Sequence, residues 1–188
     1  MDPYHHHHEN VEEIPWSRLG KIFIEFTEMI RANYNPEIIV GIAKGGVIPG
    51  VYISSALMLD FFPIKLSSRH NEKVIYKDPV WHVFPTEAVA AKRVLLVDDI
   101  CVAGRTLSLA KEKITELGAN EVRTATLAVH EGSIMPDFHY LKTDALIVWP
   151  WDRDVVNESG KWHINPEYLE EMNEIPGYKP GVSPANIF

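Results

Sequence analysis

An α/β domain with a mostly parallel open sheet flanked by helices is the fold class this sequence predicts, and three features predict it. Runs of β-branched and leucine residues of strand length alternate with segments of helical spacing. Two such runs, 37–42 and 62–66, are separated by a single helix-length apolar segment, which is the spacing of a βαβ unit and implies parallel pairing. Glycine-bearing or acid-bearing loops follow the apolar runs, at the carboxyl ends where parallel sheets present their ligand sites.

The elements follow in order. Trp16, Leu19, Phe23, Phe26 and Ile30 recur at helical spacing, with Pro15 at the helix start and Asn35-Pro36 at its end. Residues 37–42 read as a strand, and 47–59 as an apolar helix with Pro49 in its first turn. After the strand 62–66 the pattern breaks. Between 67 and 92, charged residues and the prolines 79 and 85 interrupt two short apolar runs, which fits a two-stranded excursion or a flap. A strand at 93–97, a helix at 104–117 stopped by Gly118, and strands at 121–129 and 145–149 complete the sheet. A short helix at 166–172 interrupts a proline-bearing end that wraps over the domain. The expected organisation is a flexible tail at 1–13 and one domain at 14–188, with a flap at about 67–92 and a hood at about 145–188.

Composition narrows the function. A chain of 188 residues is long enough for a sizeable core. Its net charge of -8 argues against a general nucleic-acid or anionic-membrane binder. Cys101 is the one cysteine, so there is no internal disulfide, and its apolar neighbours Ile100 and Val102 suit a buried structural thiol. No apolar run reaches the roughly 18 residues of a spanning helix and no signal-peptide pattern opens the chain, so a cytoplasmic location is expected. His5 to His8 fit a metal-binding run, a tag or simply a flexible tail, and stand outside the site.

Three runs carry chemistry. The first is Val94 to Leu107, an apolar strand followed by Asp98-Asp99, a short loop through Val102, Ala103 and Gly104, and a helix opening at Arg105-Thr106. Such a loop aims backbone N–H groups and a helix N-terminus at a phosphate. The paired acids add acceptors for sugar hydroxyls or an anchor for a hydrated divalent metal. The second is the glycine-rich run Gly41 to Gly50, a weak signal alone because it lacks the dinucleotide and Walker spacings. The third is Ile147 to Asp152, where Trp149 and Trp151 flank Pro150; core and turn, or a hood over a planar ligand, both fit it.

Taken together, 37–152 resembles the type I phosphoribosyltransferases, most closely the 6-oxopurine, xanthine-guanine-like branch. The resemblance implies the type I phosphoribosyltransferase fold and a glycosyltransferase of purine salvage. Such an enzyme moves the 5-phosphoribosyl group from 5-phosphoribosyl 1-diphosphate to a purine-like base, with magnesium and release of diphosphate. Asp98 and Asp99 would be the catalytic pair, binding the ribose 2- and 3-hydroxyls and magnesium, directly or through the bound donor. Val102, Ala103, Gly104, Arg105 and Thr106 would cradle the 5-phosphate. Ala43, Lys44, Gly45 and Gly46, with Arg69 from the flap, would meet the diphosphate, and the peptide before Lys44 can be cis in the family. His130, Ile147, Trp149, Trp151 and Asp152 would bind the base. The implied partners are the donor and a nucleobase, with no nucleic acid and no membrane, in a homodimer or tetramer.

Three positions depart from the 6-oxopurine pattern. Val102 stands where that branch carries an Asp facing N7 of the base, Ala103 replaces a hydroxyl residue of the phosphate loop, and His130 replaces a Lys. These departures leave a second reading, a non-catalytic regulatory protein that binds the phosphoribosyl donor or a nucleotide.

Overall fold

The computed structural model describes residues 8–67, 69–70, 73–74 and 79–181. In chain order the elements are β1 (Val11–Glu13), α1 (Trp16–Asn33), β2 (Ile38–Ile42), α2 (Val47–Leu57), β3 (Asp60–Ser67), β4 (Arg69–His70), β5 (Lys73–Val74), β6 (Val80–Val83), a 3-10 turn (Glu87–Val89), β7 (Arg93–Cys101), α3 (Arg105–Glu116), β8 (Glu121–Val129), β9 (Phe138–Lys142), β10 (Leu146–Val148), β11 (Asp154–Val156), β12 (Trp162–Ile164) and α4 (Pro166–Glu174). They fall into two compact units, one from Ile22 to Thr143 and one that joins Met1–Lys21 to Asp144–Phe188.

The first unit is built on a six-stranded sheet of order β6-β3-β2-β7-β8-β9. Every pair is parallel except β3 with β6. The chain leaves β2 toward β3 on one side and later returns to β7 on the other, so the sheet has a switch point between β2 and β7, where ligands bind in such folds. All five residues of β2 are buried, as expected of a strand covered on both faces. Ile38, Val40, Ile64, Val94 and Leu96 pack with Leu107, Ala110 and Ile114 of α3 in one apolar cluster. The helix ends where Gly118 takes φ 86°, a value that favours glycine.

Several expectations are corrected here. The segment expected to be a flap through 92 rejoins the sheet early: β6 pairs with β3, and Val89 is buried in the core cluster. What remains of the excursion is the short antiparallel pair β4–β5, and residues 68, 71–72 and 75–78 lie outside the described residues. The strand expected to end at Val97 runs on to Cys101, because β8 continues beside it after β2 has stopped. The sheet closes on β9 and not on the run at 145–149; β10 pairs with β1 instead. Apolar content identified 145–149 as a buried strand but could not name its partner, whereas β9 mixes Phe138, Tyr140 and Leu141 with His139 and Lys142 without alternation and follows Pro136, a weak edge-strand signal. Helix α2 stops at Leu57, where Met58 takes φ 54°. Trp16, expected on the buried stripe of α1, is 59% exposed, and Ile22 takes a place on that stripe. No helix among the described residues is long and apolar enough to cross a membrane.

In the second unit, the described part of the expected tail, residues 8–13, carries a strand. Val11, Glu12 and Glu13 pair in parallel with Leu146, Ile147 and Val148. His8 sits against the Asp144 carbonyl at 2.7 Å and Glu171 at 3.4 Å; the Glu171 hydrogen bond raises its pKa above the ordinary histidine value. Leu146, Val148, Met172 and Ile175 form a small core, against which Val11, Tyr168 and Tyr178 pack. The segment expected to form a hood thus carries β10, the hairpin β11–β12 and α4, with β1 added from the other end of the chain.

Arg153 ties this unit together. Its Nε donates to Glu13 Oε2 at 2.7 Å, Nη1 to both Asp154 oxygens at 3.1 Å, and Nη2 to the Gly181 carbonyl at 3.3 Å. Tyr178 donates to the other Glu13 oxygen. The Arg153 side chain is only 12% exposed, so its loss leaves charged partners partly desolvated. Arg153→Met should cost about 2 kcal/mol, less than breaking a fully buried pair because the Glu13 side chain is still 32% exposed, and lower Tm by roughly 4–8 °C. Scanning calorimetry checks this, and a shift below about 1 °C would show that the cluster adds no stability.

Candidate active site

Asp98 and Asp99 lie on the part of β7 that has outrun β2. Asp98 Oδ1 accepts the Asp99 backbone N–H at 3.0 Å, and Asp99 Oδ1 accepts that of Ile100 at 2.8 Å. Each carboxylate is thereby fixed by the next peptide of its own strand. Burial first, and the neighbouring Asp99 carboxylate second, push the Asp98 carboxyl well above the usual carboxylate range, against an opposing pull from the Asp99 backbone N–H. The pair is an acceptor-rich site in which adding negative charge is costly and cations or hydroxyl donors are welcome.

The β2–α2 loop closes on this pair. A Cβ at Gly46 would strike the Val97 carbonyl oxygen and lie 2.8 Å from Asp98 Cα, and one at Gly45 would fall within the Asp99 carboxylate. Glycine is therefore required at 46 for the loop to pass this close, while at 45 a Cβ would displace the Asp99 side chain. The Ala43–Lys44 peptide is cis, a form the resemblance allows, and Lys44 is exposed. Neither α2 nor α3 carries a side-chain cap or an acidic residue in its first turn.

At α3 the capping residue is Gly104, at φ 84°, where a Cβ would also meet Ile134 at 2.7 Å. The first-turn N–H groups of α3 lack intrahelical partners and carry the positive end of the helix dipole, an arrangement suited to a phosphate. Ala103 and Arg105 are exposed beside them, while Val102 and Thr106 are half-buried. Cys101 is buried, its thiol donates to the Ile134 carbonyl at 3.3 Å, and burial raises its pKa, so it behaves as the structural thiol expected.

Residues 15–159 match the model of the phosphoribosyl transferase domain. The chain belongs to the phosphoribosyl transferase family. The chain is 26% identical over 116 residues to an adenine phosphoribosyltransferase of Campylobacter fetus subsp. fetus (strain 82-40), a match over 57% of this chain and 64% of that one. Among solved structures, the purine phosphoribosyltransferase of Pyrococcus horikoshii Ot3 superposes with a TM-score of 0.68 at 29% identity, covering 79% of this chain and 99% of that one. The xanthine-guanine-hypoxanthine phosphoribosyltransferase of Helicobacter pylori shares the fold, with a TM-score of 0.66 at 16% identity over 76% of this chain and 94% of that one.

Within this phosphoribosyl transferase domain, the expected acids and the expected diphosphate loop are brought together, with Gly45 and Gly46 against Asp98 and Asp99. Arg69 is on β4, opposite Val74, and its side chain lies outside the described residues. His130 follows β8 and is 4% exposed; its N–H donates to the Cys101 carbonyl and its own carbonyl accepts from the Ser133 hydroxyl at 2.8 Å. That degree of burial favours a structural histidine. In the second unit Ile147 and Trp149 are buried, and Trp149 stacks on Trp151 with centroids 5.0 Å apart and rings 9° from parallel. Tyr168 and Asn165, which the sequence reading passed over, both bond to Asp152. The dipeptide Asn165-Pro166 was a usable signal, since Asn before Pro marks a helix start.

Two outcomes test this geometry. Gly46→Ala collides with backbone and should cost about 1–3 kcal/mol in urea unfolding, whereas Gly45→Ala meets a side chain that can rotate and should cost less. For Asp98 the folded pKa is raised, so its contribution to stability is full below the unfolded value and is lost as pH rises through the folded one. Asp98→Asn should therefore melt at or above the wild type at pH 8, with a flatter dependence of Tm on pH above the carboxylate range. A ligand-free variant that melts lower at pH 8 would contradict the raised pKa.

Proposed function

We propose that the protein transfers the 5-phosphoribosyl group from 5-phosphoribosyl 1-diphosphate to a purine base in the cytoplasm, releasing diphosphate. The observation that carries the reading is the fixed Asp98–Asp99 pair, with Gly45 and Gly46 packed against it and the uncapped α3 N-terminus following on the same strand-loop-helix. The reaction forms a bond from a base nitrogen to the anomeric carbon, breaks that carbon's bond to diphosphate, and removes the nitrogen's proton. Positive charge gathers on the ribose and negative charge on the leaving group, so catalysis consists of holding the sugar and receiving that charge. Asp98 and Asp99 hold the ribose hydroxyls. The α3 first-turn amides and Thr106 hold the 5-phosphate, and Lys44 with the Gly45 and Gly46 amides receives the diphosphate.

Magnesium fits this donor set. No group of three or more His, Cys, Asp or Glu side chains among the described residues is placed to hold a metal, and two carboxylates suit an ion that keeps waters and takes further oxygens from substrate phosphates. Bound there, it would neutralise charge on the diphosphate.

The names of the Campylobacter and Pyrococcus relatives support a purine as the acceptor. The hood residues Ile147, Trp149, Trp151 and Asp152 are assigned to the base, and His130 to a supporting position. Helix α2 has no charged residue, and Val51 on it is 44% and Met58 just after it 91% exposed, which supports a homo-oligomer.

Val102 favours keeping a second reading, a regulatory protein that binds the donor without consuming it, because valine cannot accept a proton from the base. A turnover screen of free purines with the donor and magnesium separates the two. An enzyme consumes the donor with at least one base, and Asp98→Asn or Asp99→Asn weakens donor binding about ten- to a hundredfold. If wild type turns over 6-oxopurines slowly for want of base activation, Val102→Asp should raise the rate by roughly a hundredfold. Tight donor binding with no consumption by wild type or Val102→Asp would replace the enzyme by the regulator.

A further inference from the structure

Strand β8 carries two threonines on one face, and their hydroxyls are placed differently. The Thr124 hydroxyl donates to Asp137 Oδ2 at 2.9 Å and accepts the Asp137 N–H at 3.0 Å. Thr126, two residues on, is fully buried, and its hydroxyl has no hydrogen-bond partner among the described residues. Its neighbours along the strand, Ala125, Leu127 and Ala128, are apolar and buried. Across the sheet the surroundings are polar. Thr126 stands opposite Asp98 of β7 on one side and opposite His139 of β9 on the other. Residues paired in register project to the same face of a sheet, so Asp98, Thr126 and His139 form one polar row.

A buried hydroxyl left without a partner destabilises a fold, and valine has the same shape without that cost. The hydroxyl therefore calls for a state in which it is used. Neighbouring strands lie about 4.8 Å apart, so a rotamer change at either residue brings the Thr126 hydroxyl to the Asp98 carboxylate. Of the two polar neighbours the carboxylate is the stronger acceptor, and it is the one that belongs to the site. As it stands, Asp98 Oδ1 is turned to the Asp99 N–H at 3.0 Å. We propose that Thr126 is a positioning residue for the phosphoribosyl donor, its hydroxyl donating to the Asp98 carboxylate as that group turns to the ribose hydroxyls. This rests on the assignment of Asp98 to the donor made above. Binding of the sugar then gives the hydroxyl the partner it lacks, which adds to affinity for the ribose and leaves affinity for diphosphate alone unchanged.

Titration calorimetry with 5-phosphoribosyl 1-diphosphate and magnesium tests it, with magnesium diphosphate as the probe that has no ribose. Thr126→Val should melt at or above the wild type and bind the donor about tenfold more weakly, the worth of one hydrogen bond to a charged group. Its diphosphate affinity should not move. Thr126→Ser keeps the hydroxyl and should regain the donor affinity. Donor binding that is lost in Asp98→Asn but intact in Thr126→Val would overturn the role of Thr126 and leave the reading of Asp98 standing. Wild type that binds no donor, or Asp98→Asn that binds it as tightly as wild type, would overturn that reading and this inference with it. A Thr126→Val that melts well below the wild type, weakens donor and diphosphate equally, or is not rescued by Thr126→Ser would reduce Thr126 to a packing residue.

Discussion

The contact on which the first unit depends is the approach of the β2–α2 loop to the acids of β7, where Gly45 and Gly46 leave no room for a Cβ beside the Asp99 carboxylate and the Val97–Asp98 backbone. That approach requires β2 and β7 to be neighbours, which places the sheet's change of direction between them. It also requires β7 to extend past the last residue of β2, so that the acids stand clear of the strand they would otherwise pair with. Strand order, strand length and loop composition are three consequences of one geometric demand: to bring the glycines of one loop against carboxylates on the neighbouring strand.

This arrangement is electrostatically expensive. Two adjacent carboxylates, one of them driven toward its protonated form, oppose the folded state in the absence of a cation or hydroxyl donors. The offset comes from the apolar sheet on which they are mounted, where Val94, Leu95, Leu96 and Val97 are fully buried just before the acids. A rigid strand holding a strained polar pair is what preorganised recognition calls for, since the groups then need little rearrangement when a ligand arrives. Gly104 and Ile134 extend the same economy to the α3 loop: a positive φ and a covering side chain fix the loop without occupying the helix's own N–H groups.

The second unit is organised by polar contacts more than by its small core. Arg153 gathers Glu13, Asp154 and the Gly181 carbonyl, while Asn165 and Tyr168 hold the neighbouring Asp152 from the opposite direction. Consecutive residues of one short loop therefore bind different segments, Arg153 reaching Glu13 and Gly181 and Asp152 fastened to the start of α4. With few apolar residues available, aromatic rings with polar tips serve as both packing and donors, as at Tyr168 and Tyr178.

The sequence by itself determined the local elements and the loops that carry chemistry. The run from Val94 to Asp99 is apolar and then acidic, Gly45 and Gly46 follow a β-branched strand, and Gly104 precedes a helix; each of these is written in side-chain type and spacing. Long-range pairing was decided only by the tertiary structure. An apolar run such as Leu146–Val148 suits any buried strand position, and its pairing with Val11–Glu13 across most of the chain leaves no local trace. The weakly patterned Phe138–Lys142 became the sheet edge because β8 had an open side, and Val80–Val83 was drawn onto β3 for the same reason. Likewise the carboxylate of Asp152 was legible as a candidate, but the phenol aimed at it was not. A hydrogen bond between residues 16 positions apart depends on how a hairpin and a helix pack, and no periodicity records that.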